Sequence, residues 1–435
     1  WRRTRGVPGS TALVRLEGHG REEHVAPGAD LSGTVGWFTA MFPVRLDLAG
    51  VDVADAFAGG PAAGRAVKAV KEQLRAVPDH GVGYGMLRHL NPGTAAHLAG
   101  RRTPQIGFNY LGKSSAADIP EELRGQGWTP DPGHRDLIAA PDADMPVLSA
   151  LEINAVAGAT PEGDELTAYF GFPTGVLSRD EVTELAGLWV EALTALARHA
   201  ATPGAGGPTP SDAPLVRVTQ EEIDAWEERF GRLTEVWPVT PAQSGMLFHT
   251  MLAGTSSFDA YHMQMVFHLR GDVDPERMRR AGQALLDRHA NLRAAYVEQA
   301  DGDVVQVVPR EATLPWRHLD LSATDGAEAT EAFERFLAED RAAHFDRAAP
   351  PLFRLALAVL GPDRTELVMT AHHVLFDGWS TPLLMRDLLL LYAFDGDGAA
   401  LPAARGFGDF LTWRARQDRE ESARAWAAEL DGLEE

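Results

Sequence analysis

The spacing of apolar positions in the first half of the chain predicts alternating strands and helices. Apolar residues that alternate or run together are typical of strands, and apolar residues three and four positions apart are typical of helices. A capping box formed by Ser178 and Glu181 marks the start of one helix, and Pro78 marks the end of another. The predicted elements are strands at 11–18, 147–156 and 165–172, a core strand within 34–46, and helices at 67–77 and 178–196.

A segment rich in proline, glycine, serine and threonine, ATPGAGGPTPSDAP at 201–214, separates this half from the second. The second half again mixes the two periodicities. It has strands predicted at 261–269, 352–360 and 366–371 and helices at 220–229, 275–289, 380–391 and 411–430. Mixed strands and helices predict an α/β fold built in layers. We therefore expect two domains, 1–214 and 234–435, joined by a linker at 215–233.

Composition and charge argue against several classes of function. A hydrophobic content of 45% is typical of a folded protein. The formal net charge of −22 disfavours binding to nucleic acid or to an anionic membrane, because both need a basic surface. The chain has no cysteine, which excludes disulfides, thiolate metal sites and thiol nucleophiles and fits a cytoplasmic location. Because it begins at Trp1 rather than Met, we expect it to be part of a longer polypeptide.

The most specific segment is AHHVLFDGWS at 371–380, where a strand delivers two histidines to a loop. His373 could act as a general base, because imidazole exchanges protons near neutral pH. Asp377 would fix the loop, and Gly378 would let backbone N–H groups approach a developing oxyanion. Arg354, on the neighbouring strand, is the expected partner of a buried Asp377 carboxylate.

Two other interpretations of this loop are open on the residues alone. One is a strand end with two incidental histidines. The other is a metal site formed by His372, His373 and Asp377, which is disfavoured because adjacent strand side chains point to opposite faces of a sheet.

The second half resembles the front lobe of nonribosomal peptide synthetase condensation domains. Three segments in the family's order carry the resemblance: VWPVTPAQSGMLFH at 236–249, RHANLRAAY at 288–296, and the HHxxxDG loop HHVLFDG. The resemblance covers 234–435 and implies a chloramphenicol-acetyltransferase-like lobe. It also implies that an acyl thioester on one carrier domain is attacked by an amine on another, with His373 at the centre. Whether His373 is a base or positions the amine stays open, and Asp377 is expected to be structural.

The first half carries its own series of motifs: LEGHGRE at 16–22, TVGWFTAMFPVRL at 34–46, PDHGVGYGMLRHL at 78–90 and FNYLG at 108–112. Considered without a family, Glu17 is a surface acid or a catalytic one. Asn109 and Tyr110 could be hydrogen-bonding core residues, and the glycines indicate tight backbone conformations.

Together the four segments resemble the back lobe of an epimerisation domain of the same synthetases. That chemistry removes and returns the α-proton of a carrier-bound thioester. The resemblance implies that Glu17 serves one face of the substrate, with Arg21, Asn109 and Tyr110 around the site. The opposing histidine would come from an HHxxxDG loop in a front lobe that this chain lacks, and neither His19 nor His24 matches it.

The resemblances imply two chloramphenicol-acetyltransferase-like lobes, one from each of two consecutive domains. The whole synthetase would epimerise a carrier-bound thioester and condense it with the next carrier-bound amino acid, while this chain alone is expected to be inactive. The expected partners are carrier domains, which bear 4'-phosphopantetheine, and an adjacent adenylation domain; no metal or other directly bound cofactor is implied. The alternatives are a coenzyme A-dependent acyltransferase and a non-catalytic scaffold that binds carriers.

Overall fold

The computed structural model describes residues 1–26, 28–114, 145–160, 163–253 and 259–432. The chain forms two compact units, Trp1–Gly206 and Gly207–Glu435, which are described separately below. Both contain layered strands and helices, so the predicted mixed α/β fold is confirmed. Within the described residues, no helix combines the length and apolar character that crossing a membrane requires.

A five-stranded sheet with the strand order β2-β1-β3-β4-β5 organises the first unit. Its strands are β1 Thr11–Gly18, β2 Ala40–Asp47, β3 Ile106–Ser114, β4 Leu151–Thr160 and β5 Gly163–Gly171. The pairs β1–β3 and β3–β4 are parallel, and β1–β2 and β4–β5 are antiparallel. The helices are α1 Val53–Ala58, α2 Pro61–Arg75, α3 Tyr84–His89, α4 Pro92–Ala99 and α5 Arg179–Ala200.

The two faces of this sheet differ in burial. One face carries the core, and α5 covers part of it by packing the ring of Trp189 edge-on against Phe170, with centroids 6.0 Å apart. Ser178 starts α5 with the predicted capping box, in which its side chain and that of Glu181 bond each other's backbone N–H. The opposite face carries polar and partly exposed side chains. This asymmetry follows from the alternation of side chains along each strand.

The segment predicted as a core strand, 34–44, is a strand only from Ala40 onward. The strand β2 starts there because its partner β1 ends at Gly18, which pairs with Ala40. The preceding residues lie outside the core, with Val35 99% and Trp37 90% exposed. The prediction was therefore wrong for 34–39.

The second unit contains two sheets, with strand orders β10-β11-β12-β7 and β6-β9-β8. Its strands are β6 Leu233–Pro238, β7 His262–Leu269, β8 Ala295–Glu298, β9 Val304–Pro309, β10 Trp316–Asp320, β11 Phe353–Gly361 and β12 Arg364–His372. Its helices are α6 Gln220–Phe230, α7 Pro241–Ala253, α8 Pro275–Arg288, α9 Gly326–Ala342, α10 Ser380–Ala393, α11 Phe407–Ala415 and α12 Arg419–Glu429.

The four-stranded sheet is covered on both faces, which is why β12 is buried almost throughout. Leu357 and Met369 point toward α8 and α10, where they share one apolar cluster with Leu285. On the other face, Ala356 and Val368 pack with α9 in a second cluster. A central strand buried on both faces holds its terminal residues firmly, and β12 ends at His372, directly before His373.

Two predicted boundaries in this unit differ from the structure. The predicted linker, 215–233, contains α6, whose Ile223 and Trp226 are buried against Val236 and Val307 in the core of the second unit. It is therefore part of that unit rather than a free connection. The predicted helix at 411–430 is two helices, because Asp418 is extended and caps the start of α12 by accepting from the N–H groups of Glu420 and Glu421.

Candidate active site

His372 fixes the end of β12 through its buried imidazole, which is 1% exposed. Its Nδ1 accepts from the N–H of Val374 at 3.1 Å, so the ring proton lies on Nε2. That nitrogen faces Thr250 Oγ1 at 3.3 Å and Asp259 Oδ2 at 3.5 Å. Burial lowers the pKa of His372, although the charge of Asp259 opposes the shift. The ring is thus a neutral anchor for the loop.

His373 holds the opposite tautomer. Its backbone N–H donates to the carbonyl of Tyr261 at 2.7 Å, which ties the loop to the residue before β7. Its Nδ1 donates to the carbonyl oxygen of Phe376 at 2.8 Å. A proton therefore sits on Nδ1, and in the neutral ring Nε2 presents a lone pair. The side chain is partly exposed, and an unprotonated Nε2 is the form that can accept a proton from, or hydrogen-bond to, an amine.

The three motifs that carry the resemblance to condensation domains meet at this loop. Gln243, from 236–249, donates to the carbonyl of Val374 at 2.9 Å. Tyr296, from 288–296, donates to the same carbonyl at 3.1 Å, and burial raises the pKa of its phenol, which keeps the donor protonated. Asn291, from the same motif, donates to the carbonyl of Leu375 at 3.0 Å. Each motif thus supplies side chains that set the backbone around His373.

A charged cluster joins the motif 288–296 to α10, the helix that follows the loop. Asp387 on α10 accepts from Arg288 Nε at 3.0 Å and lies 3.1 Å from His289 Nε2. Burial works against ionisation of Asp387, but hydrogen bonds from Arg386, Arg288 and His289 hold its pKa below the usual value. The helix is therefore fixed in position by a paired carboxylate.

Asp377 and Arg354 do not form the predicted buried pair. Asp377 is exposed, and its carboxylate accepts from Ser380 through the backbone N–H at 3.0 Å and the hydroxyl at 2.8 Å. It therefore bonds the first residue of α10. The structural role expected for Asp377 stays a prediction.

Arg354 pairs with Asp340 instead, with 2.7 Å between Nε and Oδ1. The reason is strand alternation: Arg354 lies opposite Thr370 in the register of β11 and β12, on the face covered by α9, which carries Asp340. Asp340 also accepts from Thr370 at 2.6 Å and from Gln264 at 2.8 Å. Burial opposes ionisation of Asp340, but these hydrogen bonds lower its pKa.

Gly378 has an ordinary backbone conformation in this loop. Its φ is not in the left-handed region, and a Cβ placed on it would meet nothing within 4 Å. Among the described residues of the second unit, nothing therefore requires glycine here. The expected role of its backbone N–H stays a prediction.

In the first unit, Glu17 and Asn109 share the polar face of the sheet. Leu16 pairs with Phe108 in the parallel register of β1 and β3, so the next residues along the two strands, Glu17 and Asn109, both turn to the opposite face. Asn109 in turn pairs with Asn154, and Asn154 pairs with Tyr169. Asn109, Asn154 and Tyr169 therefore lie side by side across the polar face. Sequence analysis did not single out Asn154 and Tyr169, because their position beside Asn109 depends on the register of β3, β4 and β5.

A hydrogen-bond chain orients Asn109. Its Oδ1 accepts from His19 Nε2 at 2.7 Å, and His19 Nδ1 faces the hydroxyl of Thr39 at 3.3 Å. The amide nitrogen of Asn109 is therefore directed away from His19 as a donor. The sequence did not indicate this contact between His19 and Asn109.

The other predicted residues of this half do not all converge with Glu17. Arg21 places its guanidinium over the ring of Phe38, 4.6 Å from the centroid, and donates to the carbonyl of Thr34. Tyr110 pairs with Ala155 on the other face of the sheet and is 46% exposed. The structure thus brings Glu17 and Asn109 to one face and places Tyr110 on the other.

Comparison with known proteins places both halves of the chain in one family. The family model described as "Condensation domain" matches residues 7–212 and 234–435, which together make up most of the chain. The chain belongs to the condensation-domain family of nonribosomal peptide synthetases. Both halves match the same family, in agreement with the related lobes expected for them.

Curated relatives contain the two halves in the same order. The chain is 33% identical over 439 residues to a protein of the linear gramicidin synthase of Brevibacillus parabrevis, covering 97% of this chain and 5% of that protein. It is 29% identical over 435 residues to bacitracin synthase 3 of Bacillus licheniformis, covering 99% and 6% respectively. The chain therefore spans a small fraction of the relatives' length.

Among solved structures, the starter condensation domain of rhizomide synthetase RzmA aligns with a TM-score of 0.41 and 19% identity. The alignment covers 46% of this chain and 49% of that chain.

Proposed function

We propose that the second unit is the front lobe of a condensation domain and that His373 is its central residue. The observation that carries the proposal is the tautomer of His373, in which Nδ1 is bonded to the carbonyl of Phe376 and Nε2 is left with its lone pair. In this role Nε2 hydrogen-bonds the amine of the acceptor substrate, held on the 4'-phosphopantetheine arm of a carrier domain.

The reaction needs little else from this lobe. The acceptor nitrogen attacks the thioester carbonyl of the donor, a C–N bond forms, the C–S bond breaks, and the donor's carrier leaves as a thiol. The amine loses one proton, which Nε2 can accept during the attack and return to the departing thiolate. The fixed loop around His373 lowers the cost of aligning the amine, because the imidazole is already held in place.

For the first unit we propose the back lobe of an epimerisation domain. Glu17 would remove or return the α-proton of the carrier-bound thioester, and the amide nitrogen of Asn109 would donate to the developing enolate oxygen. Their shared position on the polar sheet face supports this assignment. An epimerisation of this kind, placed before a condensation, implies a D-configured donor.

We propose further that the isolated 435-residue chain has little activity. An active site of this family needs an HHxxxDG loop together with the opposing lobe of the same domain. The chain contains one adjacent histidine pair, at 372–373, in the second half. The proposed first-half site therefore depends on a histidine from outside this sequence. An adenylation domain would supply the amino acids loaded on the carriers.

The test uses a synthetase segment extended on both sides to complete both domains, with loaded carriers. His373→Ala is expected to lower dipeptide formation by roughly 100-fold or more while leaving exchange of the α-proton for deuterium intact. Glu17→Gln is expected to abolish the exchange while leaving dipeptide formation intact when the donor carrier is loaded directly with the D-configured substrate. His318→Ala and Glu191→Gln, at exposed positions of the same units, serve as matched controls.

The proposed assignment of one reaction to each unit would be contradicted if either variant lost both dipeptide formation and α-proton exchange. It would also be contradicted if either variant lost neither. An unmodified chain of 435 residues that condenses or exchanges at the rate of the extended segment would contradict the proposed need for the opposing lobes.

A further inference from the structure

In the first unit, the carboxylate of Glu22 and the imidazoles of His24 and His80 lie close together. The Nδ1 atoms of both histidines point to the same oxygen, Glu22 Oε2, at 3.2 Å from His24 and 2.7 Å from His80. The ligand atoms of the three residues all lie within 4.8 Å of one another. Across the parts of the chain that the structure describes, no other three potential ligands meet in this way. The proposed epimerisation chemistry uses none of the three.

The backbone and its neighbours hold the three side chains in place. Glu22 folds back over Gly20, so that its Oε1 fills the space that a Cβ at Gly20 would need. This leaves Oε2 to face the histidines. His80 lies in the left-handed region, with φ of 51°, and the following Gly81 packs against the ring of Phe42 on β2. The imidazole of His80 is thus presented from a turn that is fixed to the sheet.

A second carboxylate, that of Asp79, lies on the side of the His24 ring that faces away from Glu22. Asp79 Oδ1 lies 3.7 Å from His24 Nε2, the ring nitrogen that faces away from Glu22. Metal-binding histidines commonly direct their second nitrogen to a carboxylate, which fixes the tautomer and makes the ligating nitrogen more basic. With neutral imidazoles, the two carboxylates carry two negative charges, which a divalent cation balances.

The distances match those of a compact metal site. With metal–ligand bonds of about 2.0–2.1 Å in a tetrahedral site, ligand atoms are separated by roughly 3.3 Å. The separations of 3.2 Å and 2.7 Å from Glu22 Oε2 therefore require only a small outward movement. Two imidazoles and one carboxylate suit first-row transition metals such as Zn²⁺ rather than Ca²⁺ or Mg²⁺, which prefer oxygen ligands.

We propose that Glu22 Oε2 and the Nδ1 atoms of His24 and His80 bind a divalent transition-metal ion of the Zn²⁺ class, with Asp79 orienting His24. The side chains of His24 and His80 are 50% and 52% exposed, so ion and water can enter. The ion joins the loop after β1, which carries Arg21, to the turn at 78–81. Its role is to fix that loop, and it takes no part in the proposed proton transfer.

The test is titration of the metal-free full chain with Zn²⁺ by calorimetry, and with Co²⁺ by visible absorption. One equivalent is expected to bind, and the Co²⁺ spectrum is expected to show nitrogen and oxygen ligands at low coordination number. Glu22→Gln and His80→Asn are expected to abolish this binding. Asp79→Asn is expected to weaken it by about 10–100-fold. His97→Asn, at an exposed histidine of the same unit, is the matched control and keeps full affinity.

Binding that survives Glu22→Gln and His80→Asn, or that is lost equally in His97→Asn, would overturn the site. So would the absence of a Co²⁺ spectrum in the unmodified chain, a readout that does not depend on how any variant folds. Circular dichroism checks each variant's fold, and a Zn²⁺-dependent rise in melting temperature is expected for the unmodified chain but not for His80→Asn.

Discussion

The Nδ1 of His373 donates to the carbonyl oxygen of Phe376 at 2.8 Å, a contact that closes the HHxxxDG loop on itself. One hydrogen bond thus decides which ring nitrogen keeps its lone pair. The neighbouring His372 uses its Nδ1 as an acceptor and so carries its proton on Nε2. Two adjacent histidines therefore hold opposite tautomers, one as an anchor and one facing the proposed substrate.

The side chains that hold the loop are expected to matter for both stability and condensation. Tyr296→Phe removes the hydroxyl that donates to Val374, and Gln243→Leu removes the second donor to the same carbonyl. Each change is expected to lower the free energy of unfolding by about 1–3 kcal/mol, because a buried acceptor loses a partner. Urea unfolding measures this effect, and Gln417→Leu, on the surface, is the control. Combining the two changes should reduce condensation in the extended segment more than either alone.

The true partner of Arg354 can be tested with a double-mutant cycle. Arg354→Met leaves the buried carboxylate of Asp340 uncompensated and is expected to cost about 3–5 kcal/mol of unfolding free energy. Asp377→Ala removes only the hydrogen bonds from Ser380 and is expected to cost about 1 kcal/mol. Coupling of roughly 0.5–3 kcal/mol is expected between Arg354 and Asp340 and none between Arg354 and Asp377. Coupling between Arg354 and Asp377, with none between Arg354 and Asp340, would instead support the pairing predicted from sequence.

Acid is expected to destabilise the second unit through buried histidines. Burial, with the nearby positive charges of Arg354 and His344, lowers the pKa of His262 to about 4. In the unfolded chain the same ring titrates near 6.5. As pH falls from about 6.5 to 4, the unfolded state binds this proton and the folded state does not, so stability is lost across that window. The lowered pKa values of His289 and His372 act in the same direction.

His262→Phe isolates the contribution of this ring. The imidazole is stacked on Phe345, and within the described residues neither of its buried ring nitrogens has a hydrogen-bond partner. The variant is therefore expected to fold at pH 7 and to lose less stability than the unmodified chain between pH 6.5 and 4. Unfolding curves measured at several pH values provide the comparison. Equal acid sensitivity in both proteins would show that His262 is not buried in its neutral form.

In the first unit, His19→Ala is expected to impair epimerisation without removing a catalytic group. Asn109 loses the donor that fixes its amide, so the α-proton exchange of the extended segment should fall by roughly 10–100-fold. Thr39→Val, which alters only the far side of His19, should have a smaller effect. Condensation of a donor loaded in the D configuration should be unchanged in both variants. An unchanged exchange rate in His19→Ala would remove the positioning role assigned to this histidine.

Much of the fold could be predicted because local patterns agree with the final packing. Thr11–Gly18 is a strand with the predicted bounds, and the capping box at Ser178 starts a helix as expected. The order of the three condensation motifs also pointed to one site. The structure supplies the physical connection, through the side chains of Gln243, Asn291 and Tyr296.

What could not be predicted depends on which face a side chain occupies and on what lies opposite. Arg354 and Asp377 are close along neighbouring elements, but the partner of Arg354 sits on α9, whose packing the sequence does not specify. Asn154 lies beside Asn109 on the polar face of the sheet only because of the register between β3 and β4. The exposed segment at 34–39 is as apolar as a core strand, but β1 ends before it could pair.

The proposed role of His373 is tested most directly by determining its tautomer in the unmodified chain. Nitrogen-15 NMR of histidine-labelled protein, with His373→Ala to assign the signal, distinguishes a protonated Nδ1 from a protonated Nε2. At slightly alkaline pH, we expect a pyrrole-like shift for Nδ1 and a pyridine-like shift for Nε2. A proton on Nε2, or rapid exchange between the two forms, would contradict this expectation, because the lone pair assigned to the substrate amine would then not be held in place.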